Sequence, residues 1–219
     1  MTLNVTARGM APKLFTEPTG SDRKTMTVME GATIRGRVVQ PDGKPVANAE
    51  LGLSAHSQYA GSTFPEIRVG TKEDGTFALT NVPAGRIWYF YPKMESLAAR
   101  GLAADAVPCE TKDDGQEVDI GNIQLRPAYT LRGKVALSDG KPIPPEMHMT
   151  LSADRGSDSQ MTALAPDGSF EFKGLVTGVY SLGPGVRGYK LPDGSIGEVL
   201  VDRDRKDVVI RMEPAPARQ

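Results

Sequence analysis

The chain has 219 residues and is poor in the side chains that most enzymes use, with one cysteine, two histidines and one tryptophan. A single thiol, Cys109, excludes an intrachain disulfide. Zinc takes about three or four protein ligands, mostly His, Cys or carboxylate, and the sequence has no HExxH pattern. His56 and His148 fall in different halves of the chain and read as loop and surface residues. No GxSxG elbow presents a serine nucleophile. Cys109 precedes the acidic turn Asp113-Asp114, which disfavours a thiolate, so it reads as an inert thiol. Gly183-Pro-Gly-Val-Arg-Gly188 fits GxGxxG in form, but a turn-rich stretch follows it where the dinucleotide motif needs a helix, so it reads as a loop between strands. Neither Asp113-Asp114 nor Asp202-Arg-Asp204 has calcium-loop spacing, and Arg203, Arg205 and Lys206 neutralise the second. These absences predict no enzyme activity, no cofactor and no bound metal.

Charge of one sign is also missing. Lys and Arg total 26 against 27 Asp and Glu, a net charge of −1, so no basic field attracts nucleic acid or anionic lipid. No apolar run approaches the roughly 18 residues of a membrane span, which predicts no membrane insertion by this chain. The first 30 residues lack the basic-then-apolar layout of a signal peptide. The protein is therefore either cytoplasmic or exported on a signal outside this chain.

What is present is turn formers and a repeat. Glycine (24) and proline (17) are plentiful, 39% of residues are hydrophobic and 24% charged, a globular composition long enough for two modules of about 100 residues. Ile34-Arg-Gly-Arg-Val38 returns as Leu131-Arg-Gly-Lys-Val135, and Asp42-Gly-Lys-Pro-Val46 as Asp139-Gly-Lys-Pro-Ile143, both 97 positions downstream. Asp74-Gly-Thr-Phe77 matches Asp167-Gly-Ser-Phe170, and Asn81-Val-Pro-Ala-Gly85 matches Gly174-Leu-Val-Thr-Gly178, both 93 apart. A third element occurs three times, as Arg8-Gly-Met10, Arg100-Gly-Leu102 and Arg187-Gly-Tyr189. The first of these has no module before it, so residues 1–30 read as the terminal strands of an incomplete upstream module.

Apolar and polar residues alternate through Ile34–Val38, Ala49–Leu53 and Phe77–Leu79, and again in the second half, as half-buried strands require. Asp-Gly pairs at positions 42, 74, 114, 139, 167 and 193 supply tight turns between them. The expected fold is all-β: two tandem antiparallel β-sandwiches of prealbumin or immunoglobulin-like build over 31–125 and 128–213, after the remnant at 1–30 and before a disordered tail at 214–219. Met94 to Ala106 is rich in helix formers, which predicts a short helical or irregular insertion over 92–98 and then an extended segment.

Gly36-Arg-Val38, Asp42-Gly-Lys-Pro-Val46, Thr71-Lys-Glu-Asp-Gly-Thr-Phe77 and Pro83-Ala-Gly85, with their second copies, resemble the carboxypeptidase regulatory-like domain, a sandwich similar to transthyretin and to starch-binding modules. The second copy departs from the pattern with Val176-Thr177-Gly178 where the family has Pro-x-Gly. The resemblance implies a bacterial, extracytoplasmic, non-catalytic module of structure and interaction, because the peptidase activity of such proteins belongs to a separate catalytic domain. Its partners would be neighbouring protein domains or a glycan.

One segment bears on the glycan alternative. By the repeat, Ile87 and Tyr89 align with Tyr180 and Leu182 and face the core, which turns Trp88 and Phe90 to the outer sheet face. Outward aromatics can stack sugar rings, so Trp88 and Phe90 are the candidate ligand-binding residues. The other reading is that residues 92–106 or the junction between modules covers them.

Overall fold

A computed structural model describes residues 2–16, 25–55, 67–153, 158–192 and 197–216. Of the tail expected at 214–219, Pro214 ends the last strand and the Ala215 N–H donates to the Gly188 carbonyl at 2.8 Å, while residues 217–219, His56 and the Asp193-Gly194 pair lie outside the described residues. In chain order the elements are β1 (Thr2–Val5), β2 (Lys13–Thr16), β3 (Ala32–Val39), β4 (Glu50–Ala55), β5 (Ile67–Gly70), β6 (Thr76–Val82), β7 (Arg86–Pro92), α1 (Met94–Ala98), β8 (Leu102–Ala103) and β9 (Val107–Thr111). They continue with β10 (Glu117–Gln124), β11 (Arg126–Pro127), β12 (Tyr129–Leu137), β13 (His148–Ala153), β14 (Ser159–Ala163), β15 (Ser169–Leu175), β16 (Gly178–Gly185), β17 (Tyr189–Lys190), β18 (Gly197–Val201) and β19 (Arg205–Pro214). Among the described residues the protein is all-β apart from one five-residue helix.

The chain forms two compact units, Met1–Pro92 with Ala106–Leu125, and Lys93–Asp105 with Arg126–Gln219. In the first unit the sheet β10-β3-β6 faces the sheet β5-β4-β7-β9, and β1 pairs with β2. In the second, β15-β12-β19-β17 faces β14-β13-β16-β18, and β11 pairs with β8. The orders correspond strand for strand, with β3, β4, β5, β6, β7, β9 and β10 matching β12, β13, β14, β15, β16, β18 and β19. Each unit also has one parallel pair, β3 with β10 and β12 with β19. That pairing has no signature in the alternation of either strand.

The repeated residues occupy repeated environments. Gly36 pairs with Phe77 and Gly133 with Phe170. A Cβ on Gly36 would meet the Phe77 ring tip at 2.8 Å, and one on Gly133 would strike the Phe170 ring tip and the Val208 carbonyl. Each glycine is required because a phenyl ring from the neighbouring strand lies over it. Apolar residues from both sheets fill each interior. In the first unit the Phe77 and Phe90 rings stack 4.7 Å apart; in the second, Leu131, Val135, Phe170, Phe172, Leu151 and Tyr180 are buried in one cluster.

The Asp-Gly pairs make the corners. Asp74 Oδ1 accepts the Thr76 N–H at 2.9 Å and its hydroxyl at 2.6 Å, and Asp167 Oδ1 accepts the Ser169 N–H at 3.0 Å and its hydroxyl at 2.8 Å. These bonds hold both carboxyls below the ordinary range. Asp167 is lowered to about 2, chiefly by the Ser169 N–H, and Asp74 is lowered chiefly by the Thr76 hydroxyl. A depressed carboxyl stabilises the fold fully above its unfolded value of about 3.9 and loses that contribution as pH falls through the folded value. The unfolding midpoint of the second unit should therefore drop between about pH 4 and pH 2. Asp167→Asn should shrink that drop in a thermal melt followed against pH; an unchanged pH profile would show that the bond to Ser169 is absent.

Candidate interaction site

β7 carries both predicted ligand residues. Trp88 and Phe90 are both 0% exposed, whereas Ile87 is 49% exposed. The predicted faces are thus reversed, and Trp88 and Phe90 belong to the core. Strand pairing shows why. Leu53 pairs with Phe90 and Ala55 with Trp88, as Leu151 pairs with Leu182 and Ala153 with Tyr180. Trp88 is therefore the counterpart of Tyr180. The turn from Val82 to Trp88 is one residue longer than that from Leu175 to Tyr180, and a one-residue slip moves every side chain to the opposite face. The extra length is taken up around Gly85, in the left-handed region at φ 75°.

Trp88 is also fully satisfied. Its Nε1–H lies 3.1 Å from the Pro83 carbonyl and 3.1 Å from Thr111 Oγ1, and the Thr111 hydroxyl donates to the same carbonyl at 2.8 Å. Tyr180 performs the same service in the second unit. Its hydroxyl donates to the Val176 carbonyl at 3.1 Å and accepts the Val176 N–H at 3.0 Å. Each buried aromatic thus ties down the turn that precedes its own strand, and neither Trp88 nor Phe90 offers a ring face to a sugar.

The other chemical groups also serve structure. Cys109 is buried, and burial pushes its thiol up to about 11. Asp114 Oδ1 accepts the Gly31 N–H at 2.6 Å, and Asp204 Oδ1 accepts the Thr130 N–H at 2.9 Å. Both acidic clusters thereby hold the start of a sandwich strand. His148 is exposed on β13. Among the described residues no three His, Cys, Asp or Glu side chains are grouped to hold a metal ion, and no helix is long and apolar enough to cross a membrane. A shallow groove of about 500 Å³ on the second unit includes Arg132, Lys134 and Glu171 in its lining, but Arg132 is paired with Glu171 and Lys134 with Asp167.

Sequence reasoning missed the most heavily buried charged pair. Lys93 Nζ lies 2.8 Å from Asp158 Oδ1, with the two side chains 8% and 5% exposed. Asp158 Oδ2 accepts the Met94 N–H at 2.8 Å, and the Asp158 carbonyl accepts the Ala153 N–H at 3.0 Å. Lys93 opens a segment, residues 93–105, that leaves the first repeat between β7 and β9 and packs into the second unit. Met94 and Leu97 of α1 are buried, Met94 joins the core cluster of the second unit, and β8 pairs with β11. Arg126 and Asp105 form an ion pair beside it.

This segment carries the second copy of the Arg-Gly element, and its helix sits against the same kind of feature as the first copy does. Pairing between β3 and β6 shifts register between Ala32 and Ile34, leaving a bulge at Asn81 with φ 59°. Pairing between β12 and β15 shifts between Tyr129 and Leu131, with Gly174 at φ 78°. Asn81 Nδ2 donates to the Gly9 carbonyl and to the Glu30 carbonyl, each at 2.8 Å. A Cβ on Gly174 would lie 2.7 Å from the Met94 carbonyl oxygen and 3.3 Å from Ala98. Each bulge is thus covered by a segment that carries an Arg-Gly element, through the Gly9 carbonyl in the first unit and through α1 in the second. The thrice-repeated Arg-Gly element was the available signal, but its destination was not in the repeat.

No protein-family model matches the chain, and no curated protein matches it in sequence. Among solved structures, a streptococcal ancillary pilin is 15% identical with a TM-score of 0.41, covering 97% of this chain and 73% of the pilin. The minor pilin of Streptococcus agalactiae is 14% identical with a TM-score of 0.39, covering 86% of this chain and 98% of that one. The shaft pilin of Lactobacillus rhamnosus GG is 10% identical with a TM-score of 0.32, covering 86% and 100%.

Proposed function

We propose that the chain is a non-catalytic structural and interaction module of an extracytoplasmic repeat protein, of the carboxypeptidase regulatory-like kind. The observation that carries this reading is the duplication itself. One sandwich is built twice, and its acidic turns, its buried aromatics and its buried ion pair are each engaged in holding strands, turns or straps together. The extracytoplasmic setting comes with the motif resemblance of both copies. The work is mechanical: two closed sandwiches space and present surfaces to neighbouring protein domains. The glycan alternative loses its support with the burial of Trp88 and Phe90.

A panel of peptide, ester and glycoside substrates tests the reading. Purified chain should leave all of them at the buffer rate. Turnover that copurifies with the chain and is abolished by a point substitution in it would overturn the module reading. Fractionation of the producing cells should recover the protein outside the cytoplasm; a cytoplasmic pool alone would overturn the setting.

A further inference from the structure

The two outward faces of the second sandwich differ in charge. Around the face of β15-β12-β19-β17, Arg132 pairs with Glu171, Lys134 with Asp167 and Lys190 with Glu213. The face of β14-β13-β16-β18 turns only two titratable groups outward, His148 and Glu198. Strand pairing sets its layout. Met161 lies in one row with Thr150 and Gly183. Ser152, Ser181 and Glu198 form the next row, and Val179 pairs with Leu200 in the third. Two opposite corners are therefore apolar and exposed: Met161 at 66%, and Val179 and Leu200 at 41% and 53%. Only serine, threonine and glycine stand between them. The matching face of the first unit is not open in this way. Ser54 and Tyr91 hold the positions of Ser152 and Gly183 there, and they are 8% and 3% exposed.

We propose that the β14-β13-β16-β18 face is a self-association surface, on which a second copy of the chain packs sheet to sheet about a two-fold axis. The inference rests on the reading of the chain as an interaction module and names the partner. The pattern of the face is complementary to itself. Its apolar corners lie on a diagonal, so a two-fold axis passing by Ser152 and Ser181 sets Met161 of each copy against Val179 and Leu200 of the other. An isologous contact makes each such match twice. The same rotation brings Glu198 of each copy to the Thr150 and His148 side of the other, so no carboxylate meets a carboxylate. The short side chains at the centre let the two sheets approach to about 10 Å, the usual spacing of packed sheets. The area sets the strength. Four strands of five to eight residues, about 4.8 Å apart and about 20 Å long, offer roughly 400 Å² per copy. The pair then buries about 800 Å², below the roughly 1,200 Å² at which stable interfaces begin. The dimer is therefore weak and reversible.

Sedimentation equilibrium of the intact chain tests this. Its weight-average mass should rise toward that of two chains as the concentration approaches about 1 mM, the range of a contact this small. It should not pass that of two chains, because an isologous contact closes. Met161→Lys and Leu200→Glu should each return the chain to monomer, since each sets a charge against an apolar corner. The double variant should associate again, because the introduced lysine of each copy then meets the introduced glutamate of the other. Val209→Lys changes a residue that is 60% exposed on the other sheet and should leave association unchanged. All these positions are exposed, so thermal melts of the variants should match that of the unaltered chain. A chain that stays monomeric at about 1 mM, or a mass that grows past two chains, overturns the proposal. So does an equal loss with Val209→Lys, or a double variant that remains monomeric. None of these results bears on the substrate panel, so the two readings fail separately.

Discussion

Asp158→Ala is expected to destabilise the second unit by about 3–5 kcal/mol, the cost of leaving one buried charge without its partner. For a unit of this size that corresponds to a fall in melting temperature on the order of 20 °C. Lys93→Ala should cost a similar amount, although Lys93 lies within the first repeat, because residues 93–105 pack into the second unit. Replacing both, as Lys93→Met with Asp158→Leu, should recover most of the loss, since apolar groups of similar volume often substitute for a buried pair. Calorimetry of the three variants reads the effect directly. A loss below about 1 kcal/mol for Asp158→Ala would be that of an exposed pair and would mean that the strap does not seat as described.

Trp88→Ala is expected to cost the first unit about 3–5 kcal/mol, the usual range for emptying an aromatic site in a core. Trp88→Phe should cost less, because the Thr111 hydroxyl still donates to the Pro83 carbonyl. Trp88 is the one tryptophan in the chain, so its emission reports unfolding of the first unit alone. In the native protein that emission should not move on addition of oligosaccharides. A shift with sugar, together with Trp88→Ala that unfolds at the wild-type denaturant midpoint, would place the ring at the surface and restore the glycan reading.

The two predictions separate what the sequence carries from what it does not. The corners were legible at each Asp-Gly pair within the described residues, because a turn is local: glycine takes the left-handed conformation and, at Asp42, Asp74, Asp139 and Asp167, aspartate bonds the main chain two residues on. The doubled sandwich was legible from Gly36 and Gly133, since a glycine facing a phenyl ring leaves a mark in both copies. The insertion after β7 was legible as a short helical or irregular piece followed by an extended one, and it folds as α1 and then β8. The face of β7 was not, because one residue added near Gly85 shifts the strand phase without altering the motif on either side. The destination of residues 93–105 was not legible either. A loop's composition shows that Met94 and Leu97 seek burial but not which sandwich buries them, and Lys93 and Asp158 lie 65 positions apart with no pattern linking them.

The most direct test of the doubled architecture uses two matched substitutions, Gly75→Ala and Gly168→Ala. Both glycines are in the left-handed region, at φ 76° and 85°. A Cβ on Gly75 would lie 2.6 Å from the Val38 carbonyl oxygen, and one on Gly168 would strike the Val135 carbonyl oxygen. Strain of this kind costs about 1–3 kcal/mol before the clash is counted. Denaturant unfolding should show two comparable losses, Gly75→Ala in the unit that Trp88 reports and Gly168→Ala in the other. A chain that tolerates one substitution while failing with the other would show that the two halves are not the same structure.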